Sequence, residues 1–356
     1  MRVVHVVPGH AHSLRLSARE KPRCPNTHVL IRVLEVGLDG TDRDLLEGAY
    51  GEPPNGSETL IIGHECVGVI ETVGTAVRGY KEGELVVPTV RRPDDCENCA
   101  RGEYDYCSKG DYRERGIRGA DGFLQDYIIE EPRHLIRIPK KARDYAILLE
   151  PLSIIEKAIE NAYVANSRFT WKPKRALITG DGTIGIIGAH ALRARGYDVV
   201  ITGLSENEEK STMLEQAGIT RYDAKRYPLS WIANEHGAPD LIIEATGSSA
   251  VALEAMETIG TNGVVVLTSI TPRNARIDVG MDELNNHLVL GNRSVIGSVN
   301  ASNDDFKQAL KTLHDLEERY EVSKIITARY PFEHVKEAIT AMNDNIKVVI
   351  TVGKDQ

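Results

Sequence analysis

No stretch of this 356-residue chain approaches the roughly 18–20 consecutive apolar residues that a membrane-spanning helix needs. The opening Met1-Arg2-Val3-Val4-His5-Val6-Val7-Pro8 reads as a strand, with no secretory leader. No membrane partner and a cytoplasmic location are therefore expected. There is no surplus of basic residues either: 43 Lys and Arg stand against 52 Asp and Glu, a net charge of -9. That balance excludes a general nucleic-acid surface, which needs clustered cations on phosphates. Cysteine is too scarce for a disulfide framework, with five in all, an odd number. Three of them, Cys96, Cys99 and Cys107, fall within twelve positions, which suits a reduced compartment and a metal. Cys24 and Cys66 read as small buried hydrophobes. Internal repeats and low-complexity segments are absent.

What is present is ordinary for soluble cores: 41% hydrophobic residues and 31 glycines. At roughly 150 residues per domain, the length predicts about two domains. Residues 1 to about 150 have a strand and turn texture, with short apolar runs (Val29 to Val36, Ile61 to Val73, Leu85 to Pro88) between Gly, Pro and Asp turns. From Ala146 the texture changes to helical spacing through Leu148 to Ile159, and then strands and helices alternate.

Three separated pieces carry candidate metal chemistry: Asp39 in Gly37-Leu38-Asp39-Gly40-Thr41-Asp42, His64 and Glu65 in Gly63-His64-Glu65, and Glu150 before Pro151. Two carboxylates and an imidazole, with the Thr41 hydroxyl two residues from the first ligand, match a catalytic zinc site that keeps one position open. A lone His in an apolar run is more often a core residue, so this assignment leans on the rest of the chain.

The second landmark is Arg175-Ala176-Leu177-Ile178-Thr179 running into Gly180-Asp181-Gly182-Thr183-Ile184-Gly185, with an apolar helix expected over 186–195. The glycines permit a tight turn and close approach to a pyrophosphate, and the helix N-terminus favours its charge. Further strands at 198–203 and 240–247 supply the context of a dinucleotide-binding fold. At the end of the second strand an acidic residue would hold a ribose 2′-OH and an Arg would take a 2′-phosphate. The sequence has neither, only Gly203-Leu204-Ser205-Glu206-Asn207. Gly203 leaves room and Ser205 offers a donor, while Glu206, Glu208 and Glu209 stand close by, so NADP and NAD both remain open.

Together these landmarks resemble the zinc-dependent medium-chain alcohol dehydrogenases over nearly the whole chain. The marks are Gly63-His64-Glu65-x-x-Gly68, the cysteine lobe at 96–107, Glu150-Pro151 and the glycine loop. Asp39-Gly40-Thr41-Asp42, Val87 to Pro93, Glu114-Arg115-Gly116-Ile117, Asp121-Gly122-Phe123, Glu150 to Ile154 and Ile296 to Asn300 narrow the resemblance to the archaeal glucose 1-dehydrogenases. The resemblance implies an α/β chain: a GroES-like β-rich catalytic domain from 1–150 and 297–356, and a Rossmann doubly wound parallel sheet from 151–296. It implies zinc-assisted hydride transfer from C1 of an aldose to NAD(P)+, giving the aldonolactone.

By the same resemblance Asp39, His64 and Glu150 hold the catalytic zinc, and Glu65 exchanges onto it or stands behind it. Thr41 begins a proton relay. Asp44 stands where many relatives keep the relay histidine. Glu114 and Asn300 read the sugar, alongside Thr41 and Glu150. Thr246, Thr268, Ser269, Ser298 and Asn300 join Gly180 to Gly185, Gly203, Leu204 and Ser205 around the cofactor.

Two departures stand out. The first zinc ligand, usually Cys, is Asp39, a harder donor that tolerates manganese or magnesium. The lobe, normally C-x2-C-x2-C-x7-C, keeps only its last three cysteines, with Pro93 in place of the first. A second, structural zinc wants a fourth ligand, for which Asp111 and Asp94 are candidates; the competing reading is a metal-free loop with three reduced thiols. Phe306 to Tyr320 is expected as an amphipathic helix, followed by a strand, a helix over 332–342 and a closing strand at 348–352. His5, His10, His12, His236 and His314 match no motif. The family's habit implies a homodimer or homotetramer, with 256–277 contributing. The competing functions are a polyol, alcohol or threonine dehydrogenase, and a zinc-free dinucleotide-binding protein.

Overall fold

The computed structural model describes residues 1–204, 208–271 and 276–353. The chain forms two compact units, Met1–Ser153 with Asn300–His314 and Ser323–Gln356, and Ile154–Val299 with Asp315–Val322. The first crossing falls at 153/154 inside one continuous helix, Leu149–Ala165, against the 150/151 read from the sequence. A helix that runs through the crossing leaves no compositional break to mark it. The return falls at 299/300 instead of 296/297, and 315–322 groups with the second unit.

In the first unit the organising strand is Val29–Leu38, VLIRVLEVGL, nine of whose ten residues are buried. So continuous an apolar run belongs to a strand covered on both faces. It pairs antiparallel with Glu65–Val73, with register shifts at Leu30/Ile31 and Val33/Glu35, and with Lys347–Thr351 and Tyr127–Glu130. The sheet is completed by Leu85–Pro88, Leu135–Ile138 and Ile326–Pro331. Val33, Val36, Ile62, Phe123, Phe332 and Ile350 are among the side chains of its core. The run read as one strand over 61–73 is broken: Leu60–Ile61 joins a separate three-stranded sheet, and pairing resumes at Glu65.

The second unit is a six-stranded parallel sheet in the order Thr220–Asp223, Asp198–Gly203, Arg175–Thr179, Leu241–Glu244, Val264–Leu267, Ser294–Gly297. Numbered along the chain this is 3-2-1-4-5-6, the doubly wound dinucleotide-binding order. The helix after the glycine loop is Thr183–Ala194, starting three residues before the expected 186 because Thr183-Ile184-Gly185 forms its first turn. The expected helix over 306–320 spans Asn303–Tyr320, and the closing helix and strand are Val335–Ala341 and Lys347–Thr351. Among the described residues no helix is long and apolar enough to cross a membrane.

Candidate active site

The break at Ile62-Gly63-His64 is what aims His64. Gly63 sits at φ +86°, a left-handed backbone where a Cβ would also press Val36 Cγ1 at 2.7 Å. Any side chain there is strained twice over. Asp39 reaches the same place as the N-cap of helix Gly40–Leu46: its Oδ1 accepts from the amides of Thr41 (2.8 Å) and Asp42 (3.2 Å). Asp42 closes the capping box by accepting from the Asp39 amide at 3.1 Å, and its other oxygen accepts from the Gly63 amide at 3.2 Å. One acidic helix start thus pins both metal-ligand candidates.

The other oxygen of Asp39, Oδ2, lies 3.4 Å from His64 Nε2 and accepts from the Thr41 hydroxyl at 3.3 Å. Glu150 arrives in the first turn of helix 149–165, where Pro151 costs no hydrogen bond and an acidic residue suits the helix dipole. Ligand atoms of His64, Glu65 and Glu150 lie within 4.8 Å of one another, as do those of Asp39, Asp42 and His64. All five are well buried except Asp39, which is half-buried.

This pocket is short of positive charge. Burial pushes the Asp42 carboxyl up to about 7 and that of Glu150 up to about 8. It raises Glu65 as well, against the pull of Lys347. At Asp39 burial acts the same way, but the neighbouring His64 outweighs it and holds the carboxyl well below its usual range. His64 is raised well above its ordinary value, since Asp39 overcomes the effect of burial. Among the described residues the other cation at these carboxylates is Lys347, wholly buried, ion-paired with Glu65 and donating to the Leu38 carbonyl at 3.0 Å. A divalent ion would supply the missing charge and let the carboxylates ionise, so the donors present fit a bound metal.

Glu114 lies in the same unit, on the short strand Arg113–Arg115, and is buried, not in the solvated loop its charged neighbours suggest. Its Oε1 accepts from Arg91 Nε (3.1 Å), Arg91 Nη2 (2.7 Å) and Asn300 Nδ2 (2.8 Å). Asn300 holds its position at φ +59°, a conformation Asn tolerates. All three bonds land on one oxygen, which leaves Oε2 without a hydrogen bond among the described residues.

In the second unit the glycine loop closes with Gly180 N donating to Thr202 O at 2.8 Å, and Gly182 stands at the N-cap of helix 183–194 with no side-chain cap. Thr246, Thr268, Ser269 and Ser298 follow directly on the carboxyl ends of the strands at 244, 267 and 297, the side of a parallel sheet where ligands bind. Leu204 is exposed and Gly203 buried, and Ser205 lies outside the described residues.

The family description "Glucose dehydrogenase C-terminus" matches residues 143–352, and "Alcohol dehydrogenase GroES-like domain" matches 25–140. The glucose 1-dehydrogenase of Methanocella arvoryzae is 39% identical over 99% of this chain and 100% of that protein. The chain belongs to the glucose 1-dehydrogenase family of the zinc-dependent medium-chain alcohol dehydrogenases. The family's member from Thermoproteus tenax is 36% identical over 99% of each chain. Among solved structures, Haloferax mediterranei glucose dehydrogenase in complex with NADP, Zn and gluconolactone superposes with a TM-score of 0.93 at 30% identity, covering all of both chains.

The cysteine lobe departs from one sequence expectation. Asp111 is exposed and stands apart; the carboxylate gathered with Cys96, Cys99 and Cys107 is Asp94. Asp94 Oδ1 accepts from the Cys96 amide at 2.8 Å, and Oδ2 accepts from the Cys107 thiol at 2.9 Å. The Cys99 amide donates to Cys96 Sγ and helps bring that thiol down to about 7. Ahead of helix Glu97–Ala100, the bond from the Cys96 amide holds the residue next to Pro93 among the three thiols. Sequence reasoning quoted Asp42 within its motif but gave it no role, and it missed Lys347. The capping box Asp39-x-x-Asp42 was a signal for the first; a buried Lys in the closing strand had none.

Proposed function

We infer that the protein is an NAD(P)-dependent glucose 1-dehydrogenase, oxidising C1 of an aldose to the aldonolactone. The observation that carries this reading is the gathering of Asp39, His64, Glu65 and Glu150 from three distant segments around one charge-deficient pocket, in a chain that matches glucose 1-dehydrogenases along its whole length. Unit one is read as the catalytic domain and unit two as the dinucleotide-binding domain.

Asp39, His64 and Glu150 would hold the zinc, with Glu65 in exchange or behind it. Bound there, zinc supplies Lewis-acid polarisation of the C1 hydroxyl. The reaction balances as C1–H leaving with its electron pair for the nicotinamide while the C1 hydroxyl loses a proton. Thr41, its hydroxyl 3.3 Å from Asp39 Oδ2, is read as the first group of a relay, receiving that proton as it passes its own on toward the cofactor ribose and solvent. Glu114, clamped through Oε1 by Arg91 and Asn300, presents Oε2 to a sugar hydroxyl, a partner that rejects substrates lacking it. The Asp94 and three-cysteine set is read as a second, structural zinc site, since three thiols and a carboxylate make a closed tetrahedral donor set. The chain is read as a cytoplasmic homodimer or homotetramer; the family habit and five free cysteines support this, and sizing in solution tests the assembly.

Initial rates with a panel of aldoses, polyols and simple alcohols, using NAD and NADP before and after chelation, test the function. Turnover confined to aldoses, lost on chelation and restored by zinc, is expected. Polyol or alcohol turnover without aldose turnover overturns it.

A further inference from the structure

The end of the second strand of the parallel sheet carries no acidic residue, yet a carboxylate stands there. A Cβ built on Gly203 would fall on the carboxylate of Asp181, so close that the two cannot coexist. The glycine loop therefore delivers from residue 181 the charged group that a strand-end Asp or Glu at 203 would deliver. Asp181 is almost wholly buried. Its Oδ2 accepts from Arg221 Nη2 at 2.7 Å and Nε at 3.1 Å, and its Oδ1 lies 3.7 Å from Lys210 Nζ. Arg221 comes from strand 220–223, paired alongside 198–203, and the buried Lys210 from helix Glu208–Gln216.

We propose that Asp181 is the cofactor-selecting residue of this chain, accepting from the ribose 2′-hydroxyl of NAD and disfavouring the 2′-phosphate of NADP. This rests on reading the glycine loop as a dinucleotide site. Arg221 and Lys210 are the groups that would take a 2′-phosphate, and both already face the Asp181 carboxylate. A phosphate arriving there meets a fixed like charge, with Glu208 and Glu209 in the first turn of the adjacent helix. A ribose diol meets an acceptor already oriented by Arg221, which is how an acidic residue selects NAD. Gly203 is required by this arrangement, since any side chain there displaces the carboxylate.

Titrate the full-length protein with NADH and with NADPH, following nicotinamide fluorescence, and repeat with Asp181→Asn and with Asp181→Ala/Gly203→Asp. Wild type should bind NADH more tightly than NADPH. Asp181→Asn should shift the NADPH to NADH affinity ratio toward NADPH by about tenfold or more, as expected for losing one charge-assisted contact and one like-charge repulsion. The double variant returns a carboxylate from the strand end and should restore the NADH preference. Wild-type preference for NADPH, or a ratio that stays put in Asp181→Asn while both cofactors bind, overturns the proposal. Failure of wild type to bind either cofactor would sink the dinucleotide reading itself, and this inference with it.

Discussion

Replacing Lys347 by Met tests whether the candidate metal pocket is held together by charge. The substitution keeps most of the stem's bulk and removes the ammonium from a pair in which Lys347 is 0% and Glu65 1% exposed. Removing one partner of a buried pair costs about 3–5 kcal/mol, because the other charge is left uncompensated. The hydrogen bond to Leu38 O, at 3.0 Å, goes with it and falls within that range. Protonation of Glu65 limits the loss. Its carboxyl already titrates above its ordinary value, so the folded state holds that proton more tightly than the unfolded chain. The penalty of ionising it therefore grows as pH rises above about 4.5. In chelator the variant should lose about 3–5 kcal/mol at pH 7.5 and less at pH 5, where Glu65 protonates more readily. Saturating zinc replaces the missing positive charge and should shrink the deficit at pH 7.5 by about 2 kcal/mol or more through ligand linkage. Urea denaturation of wild type and variant in these conditions reads all of it. An equal deficit at both pH values, with and without zinc, would mean that Lys347 acts through packing alone, and the charge argument would be refuted.

Glu114→Gln should lower kcat/KM for glucose by about 10- to 100-fold, mainly through KM, since a charge-assisted bond to the sugar is lost; unchanged KM would remove Glu114 from sugar recognition. Asp94→Ser should cost one zinc per chain by elemental analysis and leave the other bound, whereas unaltered stoichiometry would return the lobe to a metal-free loop. The His134 ring is fully buried and burial pushes it down to about 3, so it is neutral in the fold. Its contribution is therefore complete above about pH 6.5 and is lost as pH falls toward 3, by at most about 1.4 kcal/mol per pH unit. The acid limb of the stability profile should flatten in His134→Gln by that amount; superimposable profiles would contradict the assignment.

The glycine loop was legible because it is local chemistry, a tight turn before a helix; the grouping of Asp39, His64 and Glu150 came from the resemblance to a family, and the break before His64 was not read. The doubly wound sheet followed from the alternation of strands and helices after residue 175. What could not be read depends on long-range closure. Lys347 meets Glu65 only because strand 347–351 pairs with 29–38, and nothing in Lys-Val-Val-Ile announces a buried ammonium. Asp94 and Asp111 were equivalent by spacing, and the turn ahead of Cys96 chose between them. Asp181 was read only as one of the glycine-loop residues around the cofactor, because the closeness of its carboxylate to Gly203 appears only in the fold.

The antiparallel pairing of 347–351 with 29–38 also sets an order of events during synthesis. Asp39, His64, Glu65 and Glu150 have all been made when residue 150 is added, but the ammonium beside Glu65 belongs to residue 347. At roughly 5–20 residues per second, the 197 residues still to be added (347 minus 150) keep the ribosome busy for about 10–40 s. Throughout that interval the slot beside strand 29–38 has no occupant from this chain, and Glu65 lacks the Lys347 ammonium. Metal loading and completion of the sheet are thus separable in time, and nascent chains stalled before residue 347 should expose an unpaired edge that chaperones can hold.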